Sequence, residues 1–324
     1  SFDSAKILFA TIGVSFAFIK VSVYSMIGLF THSKEEHNSF MSSIEGFFMV
    51  GIASAYFLFP AFFDTQNHDA WLRVYLLLAG LIALAFLLLL FSRVDVPIPK
   101  NEGSLKDDFT GMIRLIVLPL VLFFVLSAFL FVMVEQGIMT WLPTFNQNVL
   151  SLNPTLSVQM ASILALSLAL GRFVAGQIVK HISWVKLLTL CLLAAMAIVA
   201  FVLPQALTYH SDPIHSVIDI PLIGYVFPLI GLFISPVYPL ISSATLSALP
   251  QRMHSAMTGM IVIFSALGGT LGSRIIGMLF EHVGGAQAFY FMIVPITLLI
   301  ITLWLLDRSI NRYEAAHPVE QQAG

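Results

Sequence analysis

The sequence predicts an all-α integral membrane protein, and three observations predict it. Of its 324 residues, 58% are hydrophobic and only 10% charged, where an ordinary soluble domain carries roughly a quarter charged. The mean hydropathy is +0.94, and with 28 Phe the apolar residues exceed what one soluble core of this length can hold. They also arrive in blocks of about 20 residues or more, the length at which an α-helix crosses a hydrocarbon layer. Backbone in lipid must satisfy its own hydrogen bonds, so each block reads as a helix.

Nine spans follow in order. Ile7 to Phe30 is apolar, small or hydroxylated except for Lys20 near its middle, and Ser39 to Phe63 carries Glu45, the only carboxylate in these first two spans. Trp71 to Ser92 is the third. Leu115 to Pro143 holds Glu135, and Thr155 to Val179 holds Arg172. Val185 to Pro204 and Ile220 to Leu249 come next, the latter with Pro236 and Pro239 on either side of Tyr238. Ala256 to Phe280, with Arg274, and Ala286 to Leu306 complete the set. Pro and Gly inside several spans are compatible with this reading, because membrane helices tolerate them.

Composition also excludes classes of function. A net charge of −2 and the lack of any long acidic or basic run point away from nucleic acid. The single cysteine, Cys191, lies inside an apolar block, so no disulfide is expected. Asn153 is followed by Pro154, which removes the one candidate glycosylation site. No Gly-rich phosphate loop, metalloprotease helix or nucleophile elbow is present, so neither an enzyme nor a cofactor is expected. The stretch HSDPIHSVID offers His210, Asp212, His215 and Asp219, but it matches no fixed ligand spacing and no metal site is assigned to it.

Lys and Arg in the loops set the orientation. Lys34, Arg93, Lys100, Lys106, Arg114, Lys180, Lys186, Arg252, Arg308 and Arg312 fall on one side, while the other holds Lys6 and Arg73. The first side is expected to be cytoplasmic. The organisation expected is an incomplete bundle of three helices over residues 1–92, a cytoplasmic linker over 93–109, a six-helix bundle over 110–309 and a cytoplasmic tail over 310–324. SFMSSIEGFF at Ser39 aligns with SAMTGMIVIF at Ser255, each following a span with a Val-Tyr near its middle, which suggests a parallel repeat. On a six-plus-six plan, three helices would precede this chain.

Several passages resemble the major facilitator superfamily. LALGRFVAGQIVKHISWVKLL, Leu168 to Leu188, is similar to the degenerate second copy of the signature on helix eight, with Gly171, Arg172, Gly176, Lys180 and Lys186 in place. LSALPQRMHSAMTGMIVIFSALGGTLGS, Leu246 to Ser273, resembles the turn between helices ten and eleven and the small-residue face after it. EQGIMTWLPTF, Glu135 to Phe145, resembles the broken outer end of helix seven. The resemblance implies the major facilitator fold with nine of twelve transmembrane helices present. GLFISPVYPLISSATLSALP, Gly231 to Pro250, looks most like the fucose permease branch of sugar and proton symporters. That branch implies a monosaccharide as the small-molecule solute, a proton as coupling ion, a monomer in the lipid bilayer, and a bacterial inner membrane. Where the branch would carry a carboxylate and an Asn, this chain has Lys20 and Glu45. The resemblance also makes Arg172 an element of the cytoplasmic gate rather than a ligand group.

A charge at bilayer depth costs at least a few kcal/mol, so such residues face a cavity or a partner. Lys20 and Glu45 are expected to face each other, with Tyr24 one turn from Lys20 on the same side. They are either a structural lock or a pair that opens for solute or proton. Glu135 and Gln136 form a second polar island. Gln136 with Thr140, and Gly137 with Trp141, share faces at i, i+4. Amide, hydroxyl and aromatic plane together suit a sugar ring, unless Glu135 is only a vestibule residue and Trp141 an interfacial one. Pro236 and Pro239 are expected to interrupt the helix around Tyr238, as at transporter sites. The candidate binding residues are thus Lys20, Tyr24, Glu45, Glu135, Gln136, Thr140, Trp141 and Tyr238. An organic or phosphorylated anion held by Lys20 is the alternative solute; a nutrient sensor or membrane-embedded enzyme lacks the segments it would need.

Overall fold

The computed structural model describes residues 2–30, 34–62, 70–92, 113–209, 214, 216–250 and 253–317. The linker expected over 93–109 lies outside them, as do His210, Asp212 and His215. Among the described residues the chain is helical, with no strand beyond an isolated bridge between Leu152 and Ile214. Among the described residues nine helices are long and apolar enough to cross a membrane. They are α1 (Phe2–Phe30), α2 (Lys34–Leu58), α3 (Val74–Phe91), α4 (Pro119–Asn148), α5 (Pro154–Ile178), α6 (Trp184–Thr208), α7 (Leu222–Ala248), α8 (His254–Val283) and α9 (Gly285–Ala316).

Local chemistry accounts for several ends. The side chain of Asn153 accepts a hydrogen bond of 2.9 Å from Leu156 N, and Pro154 fills the first helical position of α5, where its missing N–H is not needed. Gly284, with φ +89° and ψ 163°, joins α8 to α9 in a conformation open only to glycine. Helix α7 is broken twice: a 3-10 turn covers Phe227–Leu229 at Pro228, and the chain turns again at Ser235 and Pro236. The expectation that Pro239 also interrupts the helix is corrected. It falls in the first turn of the segment Val237–Ala248, where a proline is tolerated.

Several helices outrun their apolar blocks. Helix α4 continues through Pro143 to Asn148, and α6 through Pro204 to Thr208. A membrane helix can lose one N–H bond and go on. Helix α9 continues ten residues past Leu306, because the apolar run stops there but the buried stripe does not: Leu299, Leu303, Leu306 and Ile310 repeat at helical spacing on one inward face. The tail therefore begins as helix.

Helix α4 is the hub and packs against α5, α7, α8 and α9. Lipid is as apolar as Leu, so close backbone approach rather than water exclusion drives such contacts. Gly268 and Gly272 on α8 supply it: a Cβ on either would run into the backbone of Phe129 or Met133 on α4. At one end of the hub Phe145, Phe227, Phe280 and Phe289 interlock with ring centroids 5.1–5.5 Å apart, each such contact worth about 0.5–1.5 kcal/mol beyond burial. Helix α2 packs on α5, and α1 packs on α8 and α2. These last contacts position the site.

Candidate functional site

Four charged side chains meet where α1, α2, α4 and α5 converge. Lys20 Nζ lies 3.6 Å from Glu45 Oε1. Arg172 donates through NH1 to Glu45 Oε2 at 2.6 Å and to the Glu45 main-chain oxygen at 3.2 Å, and through NH2 to Glu135 Oε1 at 3.1 Å. Glu45 is 3% exposed, Glu135 5% and Arg172 2%. Charges this deep persist only when paired and hydrogen-bonded. Two cations and two anions sum to zero, so the cluster as a whole is neutral.

Helix geometry explains how Arg172 gets there. It lies only about two turns from the Ile178 end of α5, but the Cα–Cβ bond of a helical residue tilts toward the N-terminus. The long stem therefore carries the guanidinium back toward the middle of the span. Gly171 keeps α5 tight against α7, for a Cβ there would meet Leu232 O and Ser235 Oγ. The planar fork then matches two carboxylates at once, which a lysine could not do.

Aromatic rings enclose the Lys20 end. Its ammonium stands 4.8 Å from the Tyr238 ring centre, 5.4 Å from Tyr24, 5.5 Å from Phe16 and 5.8 Å from Phe48. Such ring faces attract a cation. Tyr24 on α1 and Tyr238 on α7 thus flank one ammonium. The cavity beside it, bordered by Lys20, Tyr24, Glu45 and Phe48, measures about 90 Å³. That is room for about three waters, well short of the roughly 300 Å³ of a small-molecule pocket. A larger cavity of about 380 Å³ lies against Ile52, Ala55, Tyr56, Phe59 and Val158 and has no charged lining residue.

The candidate residues thus divide. Lys20, Tyr24, Glu45, Glu135 and Tyr238 come together, whereas Gln136 and Trp141 turn toward the seam of α4 and α8. Trp141 Nε1 donates to Ser273 O at 2.7 Å, and its ring lies over Gly277 and 5.3 Å from Phe280. Gln136 packs beside Gly269, and Thr140 is exposed. Arg172 is the residue sequence reasoning left out. The signal that singled out Lys20, a charge inside an apolar span, applied equally to Arg172, which the structure pairs with two carboxylates. Arg274 is exposed, in line with a snorkelling role. Among the described residues no cluster of His, Cys, Asp and Glu could hold a metal ion.

A sequence model described as the Major Facilitator Superfamily matches residues 7–273. The chain belongs to the major facilitator superfamily. It is a membrane transporter by family, not an enzyme. A crystal structure of the E. coli fucose:proton symporter FucP and a second crystal structure of FucP share its fold, each with TM-score 0.65, 15% sequence identity and 89% of this chain covered. One is a single-residue variant, of which 73% is covered. The other is in the outward conformation, of which 72% is covered. No curated protein matches by sequence.

Proposed function

We propose that this transporter moves a small neutral polar solute, a monosaccharide, together with a proton, by alternating access of residues 1–92 against residues 110–309 around the Lys20, Glu45, Arg172 and Glu135 cluster. The observation that carries the proposal is how the charges divide. Lys20 and Glu45 come from the first part, Arg172 and Glu135 from the second, and each pair is neutral by itself. Parting the two would break one ion pair, that of Arg172 with Glu45, and leave no charge stranded. The small cavity fits this picture, since a sugar would enter only when that contact opens.

Glu135 is the group we assign to the proton. When Glu135 is neutralised, Arg172 has Glu45 as its remaining partner, so the protonated protein favours the joined arrangement. When Glu135 is charged, Arg172 can leave Glu45 and stay paired. Proton binding and movement are linked through one guanidinium. With Glu135 charged the cluster is neutral, so a neutral solute leaves it balanced, whereas an anion adds a charge that it does not offset. FucP, described as a fucose:proton symporter, makes fucose the first solute to try.

Thermal stabilisation of the detergent-solubilised protein by neutral monosaccharides, compared with organic acids and sugar phosphates, tests the reading. Stabilisation by neutral sugars, followed by uptake driven by an imposed pH gradient in proteoliposomes, is the expected result. Stabilisation by anions alone would transfer the assignment to the Lys20 anion reading. For orientation we place the linker and C-terminus in the cytoplasm of a bacterial inner membrane: a cysteine at Asn148 should react with an impermeant thiol reagent applied to cells, and one at Asn101 should not.

A further inference from the structure

Helices α6 and α9 pack together, and one end of their seam gathers basic side chains that the charged cluster does not use. Two contacts fix the register. Trp304 Nε1 donates to Thr189 Oγ1 at 3.2 Å, and Thr297 Oγ1 lies 4.0 Å from Met196 Sδ. The two contacts are seven positions apart on each helix, so α6 and α9 run antiparallel and in step. One turn beyond the Trp304 contact, Lys186 on α6 therefore comes level with Arg308 on α9, and Arg312 follows one turn later. Trp304, Arg308 and Arg312 recur at i, i+4 and i+8, which keeps them on one face. All three basic side chains are exposed, and none forms an ion pair among the described residues. Asp307 and Glu314, the carboxylates on this part of α9, leave the helix about 100° and 120° away from Arg308.

Depth in the membrane names the partner. The charge-free run of α6 begins at Leu187 and that of α9 ends at Leu306, so Lys186, Arg308 and Arg312 stand where hydrocarbon gives way to headgroups. Trp304 lies just inside them, partly exposed and with its indole N–H satisfied, as tryptophan does at a membrane interface. Toward the hydrocarbon the same seam exposes Leu190, Leu193 and Ile301. Three cations above an apolar seam complement a lipid with an anionic headgroup and apolar chains. A soluble anion would use the cations alone, and a zwitterionic lipid would bring a further cation to them.

We propose that Lys186, Arg308 and Arg312 hold the phosphate of an anionic phospholipid whose acyl chains lie along the seam of α6 and α9. The site is independent of the solute and of the proton. Thermal unfolding of the whole chain in detergent, titrated with phosphatidylglycerol or with phosphatidylcholine of the same acyl chains, tests it. Phosphatidylglycerol should raise the midpoint at a mole fraction at least tenfold lower than phosphatidylcholine. Substituting Lys186→Gln, Arg308→Gln and Arg312→Gln together should raise the half-saturating fraction of phosphatidylglycerol at least fivefold. Arg308→Gln alone should raise it at least twofold if the triple variant does not fold. Arg73→Gln with Arg274→Gln, exposed cations on other helices, should leave it unchanged. Equal action of the two lipids would overturn the proposal, and so would a triple or single variant that titrates like the unsubstituted protein. A shift as large for the Arg73 and Arg274 pair would overturn it too, since any surface cation would then serve. Inorganic phosphate that stabilises as well as phosphatidylglycerol would make this a soluble-anion site and overturn the lipid assignment.

Discussion

The two ends of the charged cluster are built differently. At the Arg172 end the guanidinium makes contacts of 2.6 and 3.1 Å with two carboxylates, and its side chain is 1% exposed. At the Lys20 end a single contact of 3.6 Å is backed by ring faces, and the lysine side chain is 18% exposed. A planar fork with fixed donors holds both partners in one geometry, whereas an ammonium on a four-carbon stem is a point charge that can shift. The difference teaches that burial at similar depth does not give similar worth. Arg172 fastens the meeting of the helices, and Lys20 compensates a charge already held.

Substitution measures that asymmetry. The largest effect is expected for Arg172→Met, which leaves Glu45 with Lys20 alone and Glu135 with no partner; breaking a buried pair in this way costs about 3–5 kcal/mol. A marked fall in the thermal midpoint in detergent is the measurement, and adding Glu135→Gln should restore part of it. Next, Glu135→Gln alone should reduce pH-driven uptake in proteoliposomes at least tenfold while exchange of the same sugar across the membrane without a gradient continues. Equal loss of both would make Glu135 a binding group and not the proton carrier.

Lys20→Met should be milder, about 1–2 kcal/mol, because Arg172 still holds Glu45. A loss as large as that of Arg172→Met would break the comparison between the two ends. Combined with Glu45→Gln, the loss should be less than the sum of the two single losses; strict additivity would mean that Lys20 and Glu45 do not act as partners. The smallest effect belongs outside the cluster. Trp141→Phe removes one hydrogen bond to Ser273 O and should lower stability by about 0.5–1.5 kcal/mol. Sugar binding that is unchanged in this variant would separate the α4 and α8 seam from the site, and lost binding would return Trp141 to it.

Much of the molecule was legible before any coordinates. The nine spans fall where the apolar blocks do, because a bilayer imposes one length and one solvent on every segment. The need of Lys20 and Glu45 for a partner was legible too, since isolated charge is costly at that depth whatever surrounds it. Less legible were the ends of α4, α6 and α9. A run of apolar residues measures the hydrocarbon layer, but a helix stops only where its backbone bonding stops, and Pro143, Pro204 and the charged turn after Leu306 do not stop it.

By itself the sequence determined solvent, span number, superfamily and the presence of charges that must be paired, for each of these depends on composition and on distance along one chain. Only the tertiary structure decided who pairs with whom. Glu135 and Gln136 are neighbours in sequence, yet one turns to Arg172 and the other to Gly269, because successive helical residues point about 100° apart and the rotation of α4 is fixed by its glycine contacts with α8. The same holds for Arg172, whose partners lie 127 and 37 positions away on other helices. Depth and rotation of one helix against another are set by packing between spans, and no periodicity within a span encodes them.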